Sequence, residues 1–192
     1  MLSSLSVQSS IRRLQMTAQK VTPGSNMNQA GFFAMDNSLS SCLSAGDPIT
    51  SLGKRGNLSL FHLDGSDSDY YFLVRGSDPK GERIGILGTN LKKNKVTGVF
   101  VIPSMRNKGL GTALYLAMIH TKGMVRSDLD FGTDACRTWK SISKYHTVKL
   151  IDNKTTKPVS FEWGVNAIPV VSGYPINEGP NIKRNFYFLA VK

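Results

Sequence analysis

The sequence predicts an α+β fold, and three observations support that class. Between residues 57 and 102, four short runs rich in β-branched and aromatic residues are separated by turn signals, which indicates an antiparallel meander. Residues 112–122 place apolar side chains at helical spacing and end at Gly123. Residues 159–163 and 186–191 are further β-favouring runs that close the chain after a second predicted helix.

The length and composition fit one domain, with or without an irregular arm. The chain has 192 residues, of which 40% are hydrophobic and 19% charged, so a wholly disordered chain is excluded. The net charge of +11 favours anionic partners such as nucleic acid, an acidic membrane or a phosphorylated cofactor. No apolar run approaches the roughly 18–20 residues of a membrane helix, so we expect no membrane partner.

The cysteines and histidines predict neither a disulfide framework nor a metal site. Cys42 and Cys136 are the only cysteines, and the three histidines share no ligand spacing, which leaves two reduced thiols in a cytoplasmic compartment. No base accompanies Cys136 in the sequence, so we do not expect it to act as a nucleophile. We expect structural or surface roles for His62, His120 and His146.

Residues 1–50 are predicted to form a Ser-rich arm with short helices, ahead of a domain that spans residues 51–192. Apolar residues from Leu2 to Leu14 can share one side of a helix, which a Pro-Gly pair at residues 23 and 24 would end. A second short helix is predicted over residues 30–43, followed by a turn at residues 46–48. The arm is basic and has no acid before Asp36, which is also typical of a mitochondrial presequence, but packing on the body or on a partner is favoured.

The predicted meander has four strands, at residues 57–63, 70–75, 83–88 and 96–102. The turn before the last strand carries Lys92, Lys93 and Lys95. These lysines are interpreted as a solvated hairpin tip, with contact to an anionic ligand as the alternative.

The segment after the fourth strand has the chemistry of an anion-binding loop. Pro103 ends pairing in the sheet, and Gly109 and Gly111 let the backbone approach a ligand closely. The following helix begins with N–H groups that have no intrahelical partner, and Arg106 and Lys108 add full positive charges. The loop lacks the Gly-Lys-Ser/Thr ending of a nucleotide P-loop and the third small residue of a dinucleotide fingerprint.

Residues 106–111 also carry a family motif: an Arg or Gln, two residues, a Gly, one residue, and a Gly or Ala, set between a strand and a helix. In this setting the chain resembles the GNAT superfamily of N-acetyltransferases over about residues 57–150. The resemblance implies a mixed, mainly antiparallel sheet flanked by helices, with acetyl-coenzyme A (acetyl-CoA) as cofactor.

The resemblance also implies roles for individual residues. The end of the strand at residues 100–102 would pair with the pantetheine arm, and the N–H of Val101 or Ile102 would polarise the acetyl carbonyl for direct attack by an amine. The pyrophosphate would lie on the loop beside Arg106, held by the amides of Asn107, Lys108, Gly109, Leu110, Gly111 and Thr112.

The resemblance weakens in the second half of the chain. A short strand begins at Met124, and a helix is predicted over residues 133–144, capped by Thr133 or Asp134. The position where enzymatic members often carry a tyrosine acid falls on or beside Trp139, and an indole cannot return a proton as a phenol does. Tyr145 is the nearest substitute in the sequence.

A softer likeness runs through Ser127-Asp128 and the region of Trp139, which is similar to divergent GNAT-like proteins of tailed bacteriophages. Some of those are virion components. Residues 164–185, rich in Pro and Gly, are predicted to be a long loop that forms either the acceptor side of a cleft, a partner surface or a surface excursion.

The sequence therefore supports two alternative functions. The first is acetyl-CoA-dependent N-acetylation of a primary amine. The alternative is a catalytically silent GNAT-fold structural or binding protein, for example a bacteriophage virion component. Its protein partners would bind the arm and residues 164–185. We expect the protein in the cytoplasm, that of a host cell if it is encoded by a bacteriophage, or in a virion. Nucleic-acid binding rests on charge alone.

Overall fold

The computed structural model describes residues 27–90, 95–129, 132–179 and 185–192. Within them lie three α-helices, α1 (Met27–Ala45), α2 (Leu110–Lys122) and α3 (Thr133–Ile142). The strands, in chain order, are β1 (Ile49–Arg55), β2 (Leu58–Asp64), β3 (Asp69–Arg75), β4 (Arg83–Asn90), β5 (Lys95–Val101), β6 (Met124–Arg126), β7 (Thr147–Asp152), β8 (Pro158–Val159), β9 (Glu162–Trp163), β10 (Pro169–Val171), β11 (Tyr174–Pro175) and β12 (Phe186–Val191).

Nine strands form one mixed sheet in the order β1-β2-β3-β4-β5-β6-β12-β7-β8. All neighbouring pairs are antiparallel except β5 and β6, which are parallel because α2 crosses over between them. A second, small sheet has the order β11-β10-β9. The prediction of an α+β fold with a mixed, mainly antiparallel sheet flanked by helices is confirmed.

The main sheet is covered on both faces, which explains why its central strands are apolar throughout. On one face, Leu39 and Leu43 of α1 pack with Phe61, Phe72 and Ile86. On the other face, α2 lies between the sheet and α3, so residues 112–119 are all buried. Over those eight residues the helix therefore has no solvent-exposed side. Its sequence pattern had predicted a single buried stripe that faces the sheet.

The beginning of the chain differs from the prediction. The helix of residues 30–43 is longer, spanning Met27–Ala45, and the proposed domain boundary at residue 50 falls inside β1. The strand β1 was not predicted because it is an edge strand, exposed at most positions, and its sequence lacks apolar alternation. The helix α1 and β1 are thus part of the body, and the helix predicted from Leu2 to Leu14 lies outside the described residues.

The end of the chain is also more structured than expected. The run 159–163 is split, because β8 joins the main sheet and β9 joins the small one. The predicted long loop 164–185 contains a short 3₁₀ turn (Val165–Ala167), β10 and β11 in its described part. The residue before α3 is Gly132, which makes no side-chain cap, so the caps predicted at Thr133 and Asp134 are wrong.

The helices that the structure describes include none that is long and apolar enough to cross a membrane.

Candidate functional site

The parallel strands β5 and β6 part soon after they meet. Within the described residues their register is a single pair, Lys95 with Arg126. Just beyond it, Thr97 is the extra residue of a bulge against β4, between the pairs Gly88–Gly98 and Thr89–Val96. Lys95 also binds the carboxylate of Asp128 across this end, at 2.8 Å. In the part of the chain that the structure describes, no strand is registered on the β6 side of the remaining length of β5.

The parting of the strands leaves backbone groups of β5 exposed to a ligand. The Ile102 N–H donates to the Ile84 carbonyl at 3.0 Å, so the flanking pair Val101–Gly85 is the non-hydrogen-bonded type. The N–H and C=O of Val101 therefore point away from β4, and those of Val99, two residues earlier, do the same. Of the two amides proposed to polarise a carbonyl, that of Ile102 is engaged in the sheet and that of Val101 points into the gap.

The chain reverses after β5 through a short 3₁₀ turn, Pro103–Met105. The amides of Met105 and Arg106 donate to the carbonyls of Ile102 and Pro103, so the Arg106 amide is not offered to a ligand. The Arg106 side chain turns back, and its Nε donates to the Val101 carbonyl at 3.0 Å.

The next residues adopt backbone conformations that favour glycine. Asn107 has a φ of 60°, and Gly109 has a φ of 74° at the residue before α2. These left-handed residues turn the chain into α2, so the amides of the loop are followed directly by the first amides of the helix.

Six consecutive amides, those of residues 107–112, make no hydrogen bond to any described residue, and the first helical bond runs from the Ala113 N–H to the Gly109 carbonyl at 2.9 Å. A Cβ built on Gly111 would meet no atom within 4 Å, so the space beside the loop is open. Open space, amides without acceptors and the positive end of a 13-residue helix together fit a phosphate or pyrophosphate.

A small cleft beside the loop contains two cations that the sequence analysis missed. Lys54 and Arg55, at the end of β1, line it together with Lys108 and Gly109. Its remaining lining is apolar apart from Gly53, being Leu58, Leu60, Leu73, Leu110 and Ala113. The Lys-Arg-Gly-Asn sequence of the β1–β2 turn was the available signal, but only the hairpin pairing shows that its cations lie near Lys108.

Of the lysine cluster before the fourth predicted strand, the structure describes Lys95, which does not reach this loop. Lys95 lies at the start of β5, about 20 Å of extended strand away from Val101. Its partner is Asp128, whose burial would raise its pKa but whose hydrogen bonds with Lys95 and with the Leu129 amide lower it. Lys92 and Lys93 lie outside the described residues.

The candidate proton donors are remote or buried. The Trp139 side chain has no exposed surface, and its ring packs on Tyr115 and Phe188, with centroids 5.2 and 5.1 Å away. Tyr145 follows α3 beside His146, near the end of α2 that lies about 18 Å from Gly111. Cys136 is buried, and burial raises the pKa of its thiol to about 11, so it is a neutral core residue.

A strained turn packs against α3. Asn166 and Ala167 both have positive φ, 54° and 64°, although neither is glycine. The Arg137 guanidinium contacts the Asn166 side-chain oxygen at 3.4 Å, and the neighbouring Val165 is 84% exposed. The turn therefore presents an apolar side chain to solvent.

Comparison with known proteins gives no family assignment. No protein-family model matches the chain, and neither a curated protein nor a solved structure matches it.

Proposed function

We propose that this chain binds acetyl-coenzyme A and transfers its acetyl group to a primary amine. One observation carries the proposal: the six acceptor-free amides of residues 107–112 lie directly after a strand whose β6-side N–H groups, at Val99 and Val101, are also without a partner among the described residues. A diphosphate binds to amides that have no other acceptor, and an extended chain that carries amides binds to an unpaired strand edge.

The loop supplies the charge that a diphosphate requires. Its amides and the α2 dipole act together with Lys108, and the guanidinium nitrogens of Arg106 other than Nε stay available to an anion. Lys54 and Arg55 add charge on the β1 side of the loop. No acidic residue lines that cleft.

The β6-side edge of β5 would hold the pantetheine arm as an additional strand, since its amides can exchange hydrogen bonds with the N–H and C=O of Val99. The Val101 C=O already accepts from the Arg106 Nε, which leaves the Val101 N–H for the acetyl group. When bound, acetyl-coenzyme A supplies an activated thioester. The Val101 N–H would then donate to the acetyl oxygen and stabilise negative charge there as an amine nitrogen bonds to the carbonyl carbon. The carbon–sulfur bond would break as coenzyme A leaves as a thiolate. Water would take the proton lost by the amine nitrogen, and the thiolate would take a proton from solvent.

A second function is favoured by a specific observation. Trp139 is fully buried and Tyr145 lies at the far end of α2, so neither is placed to protonate a departing thiolate. A silent GNAT-like module would bind the same ligand, or a protein partner, without turnover.

Calorimetric titration of the full chain with coenzyme A and with pantetheine, which lacks the diphosphate, tests the site. We expect coenzyme A to bind and pantetheine to bind much more weakly. Absence of heat with coenzyme A refutes the site. Thiol release from acetyl-coenzyme A in the presence of a polyamine, lysine or an aminoglycoside then separates the functions: release above the amine-free rate supports transfer, whereas binding without release supports the silent module.

A further inference from the structure

We propose that His62, Asp64 and Asp69 form a zinc-type metal site, and that the Lys122 ammonium occupies it when no metal is bound. The site lies at the C-terminal end of α2, whereas the glycine loop lies at the N-terminal end. It is therefore independent of the proposed acetyl-coenzyme A site.

The strand pairing brings these residues together although they show no motif along the chain. His62 and Asp64 are two residues apart on β2, so they lie on the same face of the sheet. Asp69 is directly opposite Asp64 in the β2–β3 register. One ligand atom from each of the three residues lies within 4.8 Å of the other two.

The spacing of the two innermost ligand atoms fits a metal ion. The His62 Nε2 and the Asp69 Oδ2 are 3.4 Å apart. Nitrogen and oxygen ligands bound at about 2.0–2.2 Å to a tetrahedral zinc are themselves about 3.4 Å apart. Asp64 is exposed, so its carboxylate can rotate to complete the set.

Burial and charge favour a cation at this position. The Asp69 side chain has no exposed surface, and its Oδ1 has no hydrogen-bond partner. A second carboxylate, Asp64, stands opposite it, and like charges in that arrangement repel each other. The Lys122 Nζ, 2.6 Å from the Asp69 Oδ2, supplies the only lysine or arginine charge paired with either carboxylate among the described residues.

Lys122 is suited to be replaced by a metal ion. Its side chain is 26% exposed and extends from the last turn of α2, so the ammonium can leave to water without unfolding the helix. A monovalent ammonium also leaves the Asp69 Oδ1 without a partner, whereas a divalent ion neutralises both carboxylates. His62 is held in place by stacking on Tyr71, with ring centroids 4.6 Å apart.

Calorimetric titration of the full chain with zinc chloride tests the proposal, on wild type, Asp64→Asn, His62→Gln and Lys122→Met. We expect Lys122→Met to bind one zinc ion more tightly than wild type, because its competitor is gone. We expect Asp64→Asn and His62→Gln to weaken zinc binding at least about tenfold, the low end of what a metal site loses with a supporting group. Asp64 is exposed, so that variant keeps its fold where Asp69→Asn would be at risk. His146→Gln serves as the control for adventitious histidine binding.

Three results would overturn the proposal. The first is no zinc binding by either wild type or Lys122→Met. The second is unchanged affinity in Asp64→Asn and His62→Gln. The third is a loss of zinc binding in the control His146→Gln that equals the loss in His62→Gln. The zinc titrations do not depend on whether coenzyme A binds. Each of the two proposals can therefore be refuted without the other.

Discussion

Arg106 donates a hydrogen bond from its Nε to the carbonyl oxygen of Val101, 3.0 Å away. This bond ties the first residue of the proposed anion-binding loop to the last residue of β5. It also satisfies the one backbone acceptor that would otherwise face the proposed acetyl group, and it leaves the Val101 N–H as the group offered to a ligand.

Arg106→Met is expected to weaken coenzyme A binding about tenfold, or about 1.4 kcal/mol, because both a charge and the tie to Val101 are lost. Calorimetry measures the affinity, and urea unfolding measures the smaller loss of stability. Lys149→Met is the control, since it removes the same charge from an exposed position on β7. Equal loss of affinity in the two variants would show that only net charge matters.

Gly111→Ala is expected to change stability and affinity in opposite directions. A Cβ at residue 111 meets no protein atom within 4 Å, and alanine in a helix is favoured over glycine by about 0.5–1 kcal/mol, so the fold gains stability. The same methyl group enters the space reserved for the diphosphate, so coenzyme A binds more weakly. Gly132→Ala, which also adds a Cβ in open space, serves as the affinity control. Unchanged coenzyme A affinity in Gly111→Ala would mean that the loop does not contact the ligand.

The elements that the sequence predicted correctly are those with a strong local signal. The strands β2 to β5 have dense β-favouring runs between turns, and α2 ends at a glycine, Gly123, in the left-handed conformation. The strand β1 escaped prediction because its pairing with β2 compensates for a sequence of weak propensity. Similarly, the strands β9 to β11 are two or three residues long and are defined by pairing alone.

The residues of the candidate sites also differ in whether their signal is local in the sequence. The backbone geometry of the loop at residues 106–111 was predictable because its glycines and the start of α2 are contiguous in the sequence. Lys54 and Arg55 were not, since they reach the loop only through the β1–β2 hairpin. The neighbours of His62 were not predictable either, because two carboxylates join it through strand register rather than through spacing along the chain.

Trp139→Tyr tests whether the tyrosine of the enzymatic family pattern can simply be restored. Trp139 is fully buried between Tyr115 and Phe188, so a phenol at this position would lie in the core. We expect a loss of stability of about 1–3 kcal/mol and no gain in acetyl transfer. Urea unfolding and thiol release measure the two quantities. A large increase in turnover would show that residue 139 faces the departing thiolate.

The pH dependence of stability should reveal the two histidines near the end of α2. Burial lowers the pKa of His120, and the charge of Lys192 lowers it further. Burial, His120 and Lys192 lower the pKa of His146 by more than its bond with the Val191 backbone raises it.

The unfolded chain therefore binds more protons than the folded chain as the pH falls below the ordinary histidine value of about 6.5. The stability contributed by the neutral imidazoles is complete above that value and is lost as the pH falls through the lowered pKa values. Urea unfolding at pH about 7.5 and about 5.5, on either side of that value, should show a drop in wild type that shrinks in His120→Gln/His146→Gln. An equal drop in the double variant would place the responsible groups elsewhere.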